Sequence, residues 1–265
     1  MGNITIIKAI LLGFLQAITT LWPLSHEGHI MLLQKVLDIE AEVISLVSVH
    51  LRIGIIIAIV GVLWKDVLHI LKGTAGKLPL FIAFSSVPYI GVSLVFKDYI
   101  ENIFITPPKL ACGLIITGAV LLLAETVILS YRSLGDLRLK NILIISIIQA
   151  ISSLPVISQS AMALAGSLSQ GLDKKALPRL AYLISIPVII YSIILDRNSF
   201  IVAMQTPSLI FPIFFGIVTT AITGFFAINA ISRLIIRGKL YRFGHYLIAL
   251  GLFILIDKFY LRIIF

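Results

Sequence analysis

Residues 16–25 read QAITTLWPLS, and residues 149–158 read QAISSLPVIS, so the chain carries nearly the same stretch twice. In each copy an apolar run is broken by proline and then by polar residues, HEGH at 26–29 and QS at 159–160. Matching breaks in two hydrophobic runs are the sequence pattern of an intramembrane site between internal repeats. The two copies therefore predict a membrane protein with one central site.

The composition favours the same interpretation. Hydrophobic residues make up 59% of the chain, charged residues only 12%, and the mean hydropathy is +1.10, whereas soluble domains carry about 25% charged residues. The single cysteine, Cys112, lies in an apolar run, which excludes a disulfide framework and argues against redox chemistry. The net charge of +9 is compatible with nucleic acid or an anionic substrate. Because the basic residues sit between apolar runs, loops beside membrane spans explain the charge better, and no nucleic-acid partner is expected.

Six apolar runs have about the 20 residues needed to cross the hydrocarbon layer. They are 42–64, 78–96, 109–130, 177–196, 208–229 and 245–265. Segments 6–38 and 141–170 instead have arms on each side of the break that are too short to span, so we expect re-entrant helical hairpins whose tips are buried in protein or face a water-filled cavity. An alternative for 6–22 is an ordinary span followed by a surface loop. Lys8 lies inside this run and no small-residue cleavage pattern follows, which argues against a signal peptide.

The basic residues provide a test of this arrangement, because a hairpin returns to its starting side and three crossings then invert the second half. The larger group falls on one face and comprises Lys65, Lys72, Lys77, Arg132, Arg138, Lys140, Lys174, Lys175, Arg179, Arg233, Arg237, Lys239 and Arg242. The smaller group falls on the other face and comprises Lys8, Lys35, Lys97, Lys109, Arg197, Lys258 and Arg262. The positive-inside rule then places the first face in the cytoplasm and both termini outside.

We therefore predict an all-α polytopic protein of the plasma membrane, with six transmembrane helices and two re-entrant hairpins. It forms one integral membrane domain, 1–265, in which residues 1–130 and 131–265 are repeats of inverted topology. The first hairpin opens to the exterior and the second to the cytoplasm.

Polar residues at membrane depth are candidates for function, because an ionisable side chain there costs at least about 2.5–3.5 kcal/mol. The densest group is Ser25, His26, Glu27, Gly28 and His29. A helix beginning here favours an anion such as phosphate, and Gly28 lets a ligand approach the backbone. His26 and His29 can share one helical face as base, nucleophile or metal ligand, while Glu27 can orient a histidine or hold a cation. The structural alternative is that Ser25 caps the helix and Glu27 stabilises its first turn.

Two further places carry polar residues within apolar runs. Arg52 lies well inside a span, close to His50, and it can bind a ligand, neutralise Glu27 or extend to the interface. Glu125 presents the same alternatives, and we expect it to be a structural partner near the cytoplasmic end. In the second hairpin Ser158, Gln159 and Ser160 can cap a half-helix or bind a phosphate oxygen.

With these motifs the chain resembles the bacterial undecaprenyl-diphosphatases (BacA/UppP), integral membrane proteins that remove a phosphate from a polyprenyl diphosphate carrier lipid. The family's first motif, E-G-x-x-E-F-L-P-[IV]-S-S-T-G-H, lies over residues 16–29 without a gap, and its second, P-G-x-S-R-S-G, lies over 155–161. Residues 118–125, 135–137 and the surroundings of Pro187 agree as well. The resemblance implies the same fold of two re-entrant hairpins and six crossings in an inverted repeat.

Departures from the motifs fall at charged positions. Gln16 and Thr20 stand at the two motif glutamates, and Gln159 stands at the motif arginine. His26 replaces the second serine of the first motif, and Glu27 replaces its threonine. The positions that carry over are Ser25, Gly28, His29, Ser158 and Ser160.

The resemblance implies hydrolysis of a polyprenyl diphosphate to the monophosphate, and with the orientation that the basic residues give we expect an intramembrane site open to the exterior. The candidate catalytic residues are Ser25, His26, Glu27 and His29, and the candidate substrate-binding residues are Gly28, Ser158, Gln159, Ser160, Arg52, Gln16 and Thr20. The family also implies a divalent cation, Mg²⁺ or Ca²⁺, for which Glu27 is the remaining carboxylate, although the missing motif glutamates argue against it.

The loss of those charges supports an alternative function, a catalytically inactive homologue that binds or translocates polyprenyl phosphate across the membrane. A homodimer is one possible arrangement, since small residues such as Gly113 and Gly118 favour helix association, but they do not fix the number of protomers.

Overall fold

The computed structural model describes residues 4–37, 39–96, 106–126 and 132–263, and in these ranges the regular structure is helical. The first half contains α1 (Ile6–Leu21), α2 (His26–Leu37), α3 (Ala41–Val62), α4 (Trp64–Leu71), α5 (Leu78–Val95) and α6 (Pro107–Thr126). The second half contains α7 (Leu139–Ala150), α8 (Gln159–Ser169), α9 (Leu177–Leu195), α10 (Arg197–Met204), α11 (Pro207–Ile236) and α12 (Tyr241–Ile256). A π-helical turn, Asp257–Leu261, extends α12.

The six helices α3, α5, α6, α9, α11 and α12 are long and apolar enough to cross a membrane, which confirms the predicted all-α polytopic class and the six crossings. Their ends differ from prediction mainly in α11, which begins at Pro207 and continues to Ile236, beyond the predicted end at 229. The extension is helical because Ile231 and Ile235 continue the buried face of α11 past the apolar run. The predicted end of the third crossing, 127–130, lies outside the described residues.

Two short helix pairs form the predicted hairpins, α1 with α2 and α7 with α8. α1 ends at Leu21 because Pro23 cannot continue the helix, and α2 begins after Ser25, whose Oγ accepts the Gly28 N–H at 3.3 Å. α8 begins in the same way after Ser158, whose Oγ accepts the Ala161 N–H at 3.3 Å. Pro23 and Ser25 are buried, so the alternative of a surface loop after α1 is wrong.

The packing crosses between the two halves. α1 packs against α11, and correspondingly α7 packs against α5, while α6 packs against α12. Gly13 permits the first contact, since a Cβ there would lie 2.5 Å from the Gly216 carbonyl oxygen. This exchange of equivalent helices is what two repeats would produce, but the boundary at 130/131 lies outside the described residues and stays a prediction.

Gly113 and Gly118, which the sequence offers for association between chains, are used within the chain. A Cβ at Gly113 would lie 2.7 Å from the Val156 Cβ, and one at Gly118 would lie 2.7 Å from the Gly244 carbonyl oxygen. The missing side chain at Gly113 therefore lets the tip of the second hairpin pack closely against α6, and the one at Gly118 does the same for α12.

Loops of the larger basic group lie together at one end of the helices. Asp66 forms an ion pair with Arg179, and the Arg132 N–H donates to the Gly171 carbonyl at 2.9 Å. Glu125 accepts the Tyr241 N–H at the start of α12, which confirms its predicted structural role.

The connection before α7 is held by a local cap. The Ser133 N–H and Oγ–H donate to the Asp136 carboxylate at 2.9 and 2.7 Å. These hydrogen bonds lower the pKa of Asp136 below its usual value and keep the carboxylate charged.

Candidate functional site

The tips of the two hairpins meet at a cavity of about 130 Å³. One enclosed water needs only about 10–15 Å³, so the space admits several waters or a phosphate group. Its polar lining comes from both halves of the chain and comprises Gln16, Thr19, Thr20, Ser25, His26, Glu27, Arg52, Tyr89, Ser152, Ser158, Gln159 and Ser192. The structure thus brings the two predicted breaks together around one polar space.

Most of the predicted site residues lie at this cavity, but three do not. Gln16, Thr20, Ser25, His26, Glu27, Arg52, Ser158 and Gln159 line it, whereas Gly28, His29 and Ser160 do not. Sequence reasoning missed Thr19, Tyr89, Ser152 and Ser192. Thr19 and Ser152 occupy equivalent positions in the two repeated stretches, so the repeat itself was the signal for those two.

Direct hydrogen bonds fasten one tip to the other. The Val156 N–H donates to Glu27 Oε2 at 2.6 Å, and Ser160 Oγ donates to the Trp22 carbonyl at 2.7 Å. Tyr182 from α9 adds a third contact by donating its hydroxyl to the Leu21 carbonyl at 3.0 Å. The cavity walls are therefore held by bonds between residues far apart in sequence.

His26 is held in one tautomer by Thr19. The Thr19 hydroxyl donates its only hydrogen to the Leu15 carbonyl at 2.7 Å, so it can only accept from His26 Nδ1, 3.0 Å away. The hydrogen of neutral His26 therefore sits on Nδ1 and the lone pair on Nε2. No described residue hydrogen-bonds to that Nε2, and His26 lines the cavity.

His29 is oriented differently, although it lies only three residues further along α2. Its Nδ1–H donates to the Ser25 carbonyl at 2.7 Å, so Nε2 accepts from the Tyr246 hydroxyl at 2.8 Å. The two rings stack with centroids 5.8 Å apart. His26 and His29 therefore do not share one face as predicted. His29 packs against α12, and both of its ring nitrogens are hydrogen-bonded, to Ser25 and to Tyr246.

Glu27 keeps an exposed side chain, and because it lines the cavity one of its oxygens remains available there. The other oxygen accepts the N–H of Val156, whose φ of 72° is left-handed and unusual for a β-branched residue. The carboxylate thus helps to hold a strained backbone in the opposite tip.

Arg52 has a partner that the sequence did not indicate. Its Nη1 donates to Asp196 Oδ2 at 2.6 Å and to the Ser192 carbonyl at 2.9 Å. Of the alternatives for Arg52, a direct ion pair with Glu27 is not what the structure shows, because Asp196 forms the ion pair, although Arg52 and Glu27 line one cavity. The neighbouring His50 does not line it, because its ring stacks on Phe200 with centroids 4.1 Å apart.

The serine hydroxyls of the second tip are occupied within the protein. Ser160 Oγ gives its hydrogen to Trp22, so the 3.2 Å contact with Ser158 Oγ requires Ser158 to donate. Ser158 Oγ also accepts the Ala161 N–H. Gln159 differs, because its Nε2 is buried without a partner among the described residues.

Comparison with known proteins agrees with this architecture. A family model described as bacitracin resistance protein BacA matches residues 9–253. The chain belongs to the BacA family. Relatives named undecaprenyl-diphosphatase include proteins of Carboxydothermus hydrogenoformans and Halothermothrix orenii, each 30% identical and matched over 94% or more of both chains. A protein of the same name from Methanococcus maripaludis is 28% identical, over 94% of this chain and 98% of its own.

Against the BacA motifs, the charges of this cavity are rearranged. Gln16 and Thr20, at the motif glutamates, are neutral, and Gln16 Oε1 and Thr20 Oγ1 are buried without partners among the described residues. Gln159 stands at the motif arginine. Glu27 and Arg52 bring a carboxylate and a guanidinium back to the same cavity from other positions.

These residues do not fit the divalent cation that the BacA resemblance implies. Glu27 is the one carboxylate in the described lining, and Val156 occupies one of its oxygens. The described residues contain no group of three or more His, Cys, Asp or Glu side chains that could hold a metal ion.

Proposed function

We propose that this chain hydrolyses a polyprenyl diphosphate to the monophosphate and inorganic phosphate in the cavity between the hairpin tips. The observation that carries this proposal is the convergence of two helix N-termini and Arg52 on one polar cavity among apolar helices. The names of the BacA relatives supply the substrate class. The polyprenyl chain would lie among the lipid-exposed helix faces while its head group enters the cavity.

The cavity favours a phosphate for electrostatic reasons. α2 begins at His26 and α8 begins at Gln159, and both residues line the cavity, so both positive helix ends face it. Ser25 and Ser158 each satisfy one first-turn N–H, and the others have no partner within the helix. Arg52 adds a full positive charge in a shape suited to phosphate oxygens.

His26 is the proposed general base. Its Nε2 takes a proton from a water that attacks the terminal phosphorus, a P–O bond to that water forms, and the anhydride P–O bond breaks, so that polyprenyl monophosphate leaves. Thr19 orients the ring through Nδ1 and makes Nε2 the basic nitrogen. His29 fixes the first tip through the Ser25 carbonyl, and Glu27 fixes the second tip through Val156.

The mismatch with a metal site leads us to propose that catalysis here does not depend on a divalent cation. Charge on the transferred phosphate would be balanced by Arg52 and the two helix N-termini instead.

A second candidate function is supported by the neutral residues at the motif positions. Gln16, Thr20 and Gln159 can donate hydrogen bonds to a phosphate, but they carry none of the charge with which the motif residues would hold a metal ion or balance a phosphate. A cavity of this kind can bind the head group of polyprenyl phosphate without cleaving it, and inverted repeats with broken helices suit translocation.

We also propose that both termini lie outside the plasma membrane and that the cavity opens to the exterior. The clustered loops of the larger basic group favour the cytoplasm for their end of the molecule. Asp196, at the opposite end of α9 from those loops, is 43% exposed and bonds to Arg52 in the cavity lining. The halves 1–130 and 131–265 remain our proposed inverted repeats, and a homodimer stays a prediction.

Phosphate release by pure protein in detergent tests the proposal. We expect release from a polyprenyl diphosphate at similar rates with EDTA and with added Mg²⁺ or Ca²⁺. Release only with a divalent ion would overturn the metal-independent mechanism while keeping the phosphatase. Binding without release under any ion, together with lipid crossing in reconstituted vesicles, would establish the second candidate instead.

A further inference from the structure

We propose that Asp196 is a positioning residue, which anchors Arg52 through Nη1 so that the opposite edge of the guanidinium is free to grip a lipid phosphate. The inference deepens the proposed function, on which it rests for the identity of the ligand. Asp196 does not line the cavity, and its role is exerted through Arg52.

Arg52 has more hydrogen-bond donors than Asp196 and Ser192 use. A guanidinium has five N–H groups, two of them on Nη1. Both Nη1 hydrogens are used, one by Asp196 Oδ2 at 2.6 Å and one by the Ser192 carbonyl at 2.9 Å. The remaining three, on Nε and Nη2, have no partner among the residues that the structure describes.

Two of the unused N–H donors of Arg52 lie along one edge of the guanidinium. Nε–H and one Nη2–H point in parallel from the same edge, which is a fork that matches two oxygens of one phosphate. A phosphate and Asp196 can therefore share Arg52 without competing, because their acceptors bond to different nitrogens. Arg52 lines the cavity, so this edge is the part of the residue still open to a ligand.

Asp196 does not serve as a side-chain cap for the helix that follows it. The residue precedes α10 at the position where an aspartate commonly caps a helix, but its side chain makes no capping hydrogen bond there. Its carboxylate is directed to Arg52 instead. The anchor also makes a charged arginine tolerable within a membrane protein before a ligand binds.

A double-mutant cycle with Arg52→Gln and Asp196→Asn tests this assignment. Farnesyl diphosphate serves as the kinetic substrate, and farnesyl monophosphate serves as the probe for equilibrium binding in detergent. We expect Arg52→Gln to weaken probe binding about 10- to 100-fold, as for a lost charge-assisted hydrogen bond. Asp196→Asn should weaken binding and raise KM about 5- to 10-fold, with kcat changed by less than about threefold, since it acts only on positioning.

The decisive comparison is Asp196→Asn in the Arg52→Gln background, where we expect less than about a twofold further change. An undiminished effect there would show that Asp196 supports the fold rather than Arg52, and would overturn the inference. Full probe affinity in Asp196→Asn alone would overturn it equally.

Two controls protect this result. Asp66→Asn breaks another Asp–Arg ion pair, with Arg179 among the basic loops, and should leave KM unchanged. Arg52→Lys keeps the positive charge but loses the fork, so its affinity for farnesyl monophosphate should fall close to that of Arg52→Gln. This variant tests the role of the fork even if the Asp196 variants fold poorly.

Failure of the inference and failure of the proposed function give different results. A wild-type protein that binds the monophosphate probe but releases no phosphate contradicts hydrolysis, while the binding cycle still tests Asp196. A wild-type protein that hydrolyses, with additive effects in the cycle, removes only the role of Asp196.

Discussion

The two hairpin tips share one backbone plan and differ in chemistry. Each begins a helix with a serine cap, but His26 and Glu27 follow Ser25, whereas the neutral Gln159 and Ser160 follow Ser158. The second tip donates hydrogen bonds to the first, from Val156 to Glu27 and from Ser160 to Trp22. Equivalent repeats can therefore have different roles: the first tip carries the titratable groups, and the second tip holds the first in place through hydrogen bonds.

The largest expected effect separates the two histidines of the first tip. We expect His26→Gln to lower kcat about 10²- to 10⁴-fold, because it removes the proposed general base. His29→Gln should cost less, since Tyr246 and Ser25 occupy both ring nitrogens outside the cavity. Steady-state phosphate release measures both variants, and lipid binding serves as the control for folding. A greater loss of kcat in His29→Gln than in His26→Gln would indicate that His29, and not His26, is the general base.

Moving the positive charge from Arg52 to position 159 in the second tip should produce the next largest effect on kcat/KM. Gln159 lines the same cavity as Arg52 and stands at the motif arginine, so Gln159→Arg should restore at least about tenfold of the kcat/KM lost in Arg52→Gln. Gln159→Lys in the same background is the matched control and should restore less, because an ammonium lacks the fork. No recovery with Arg would mean that phosphate binds on the Arg52 side alone.

The bond between the tips should have a moderate effect on stability. Glu27→Ala leaves the Val156 N–H without its acceptor, and we expect a loss of about 1–3 kcal/mol in the free energy of unfolding. Glu27→Gln keeps a carbonyl acceptor and should lose less. Glu125→Ala is the control, because its hydrogen bond to Tyr241 is exposed and water can replace it. Equal losses in the Ala variants at 27 and 125 would show that the partly buried Glu27–Val156 bond is no better shielded from water than the Glu125–Tyr241 bond.

The smallest effect concerns Val156, whose equivalent in the first tip is Pro23. Val156→Gly relieves a left-handed backbone, worth about 1–3 kcal/mol, but loses a buried side chain of about the same value, so the net change should be near zero. Val156→Ala loses the side chain and keeps much of the strain, so it should be less stable than Val156→Gly. Unfolding measurements that rank Ala above Gly would show that the φ of 72° carries little strain.

Helix count and hairpin positions could be predicted because they depend on local properties. Run length sets what crosses the bilayer, and Pro23 and Pro155 mark where the short arms break. Much of the cavity lining was also predicted from local sequence. Polar residues where a helix breaks at membrane depth must be buried in protein or line a water-filled cavity. The ends of α11 were predicted less well, because burial of Ile231 and Ile235 depends on neighbouring helices.

The partners of the charged residues could not be predicted. The spacing of His26 and His29 along one helix suggests a common face. In the structure the His26 ring hydrogen-bonds to Thr19, whereas the His29 ring hydrogen-bonds to Tyr246 from α12. Asp196 is 144 residues from Arg52, and Val156 is 129 residues from Glu27. Helical periodicity describes one element, whereas these contacts depend on how several elements meet.

The sequence by itself determined that this protein is an all-α membrane protein with two broken segments, because hydrophobic burial and chain length decide where each helix can lie. Only the tertiary structure decided which histidine faces the cavity, which carboxylate anchors Arg52 and which tip supports the other. Hydrogen bonds require atoms within about 3 Å of each other, and distant parts of the chain reach that distance only once the helices have packed.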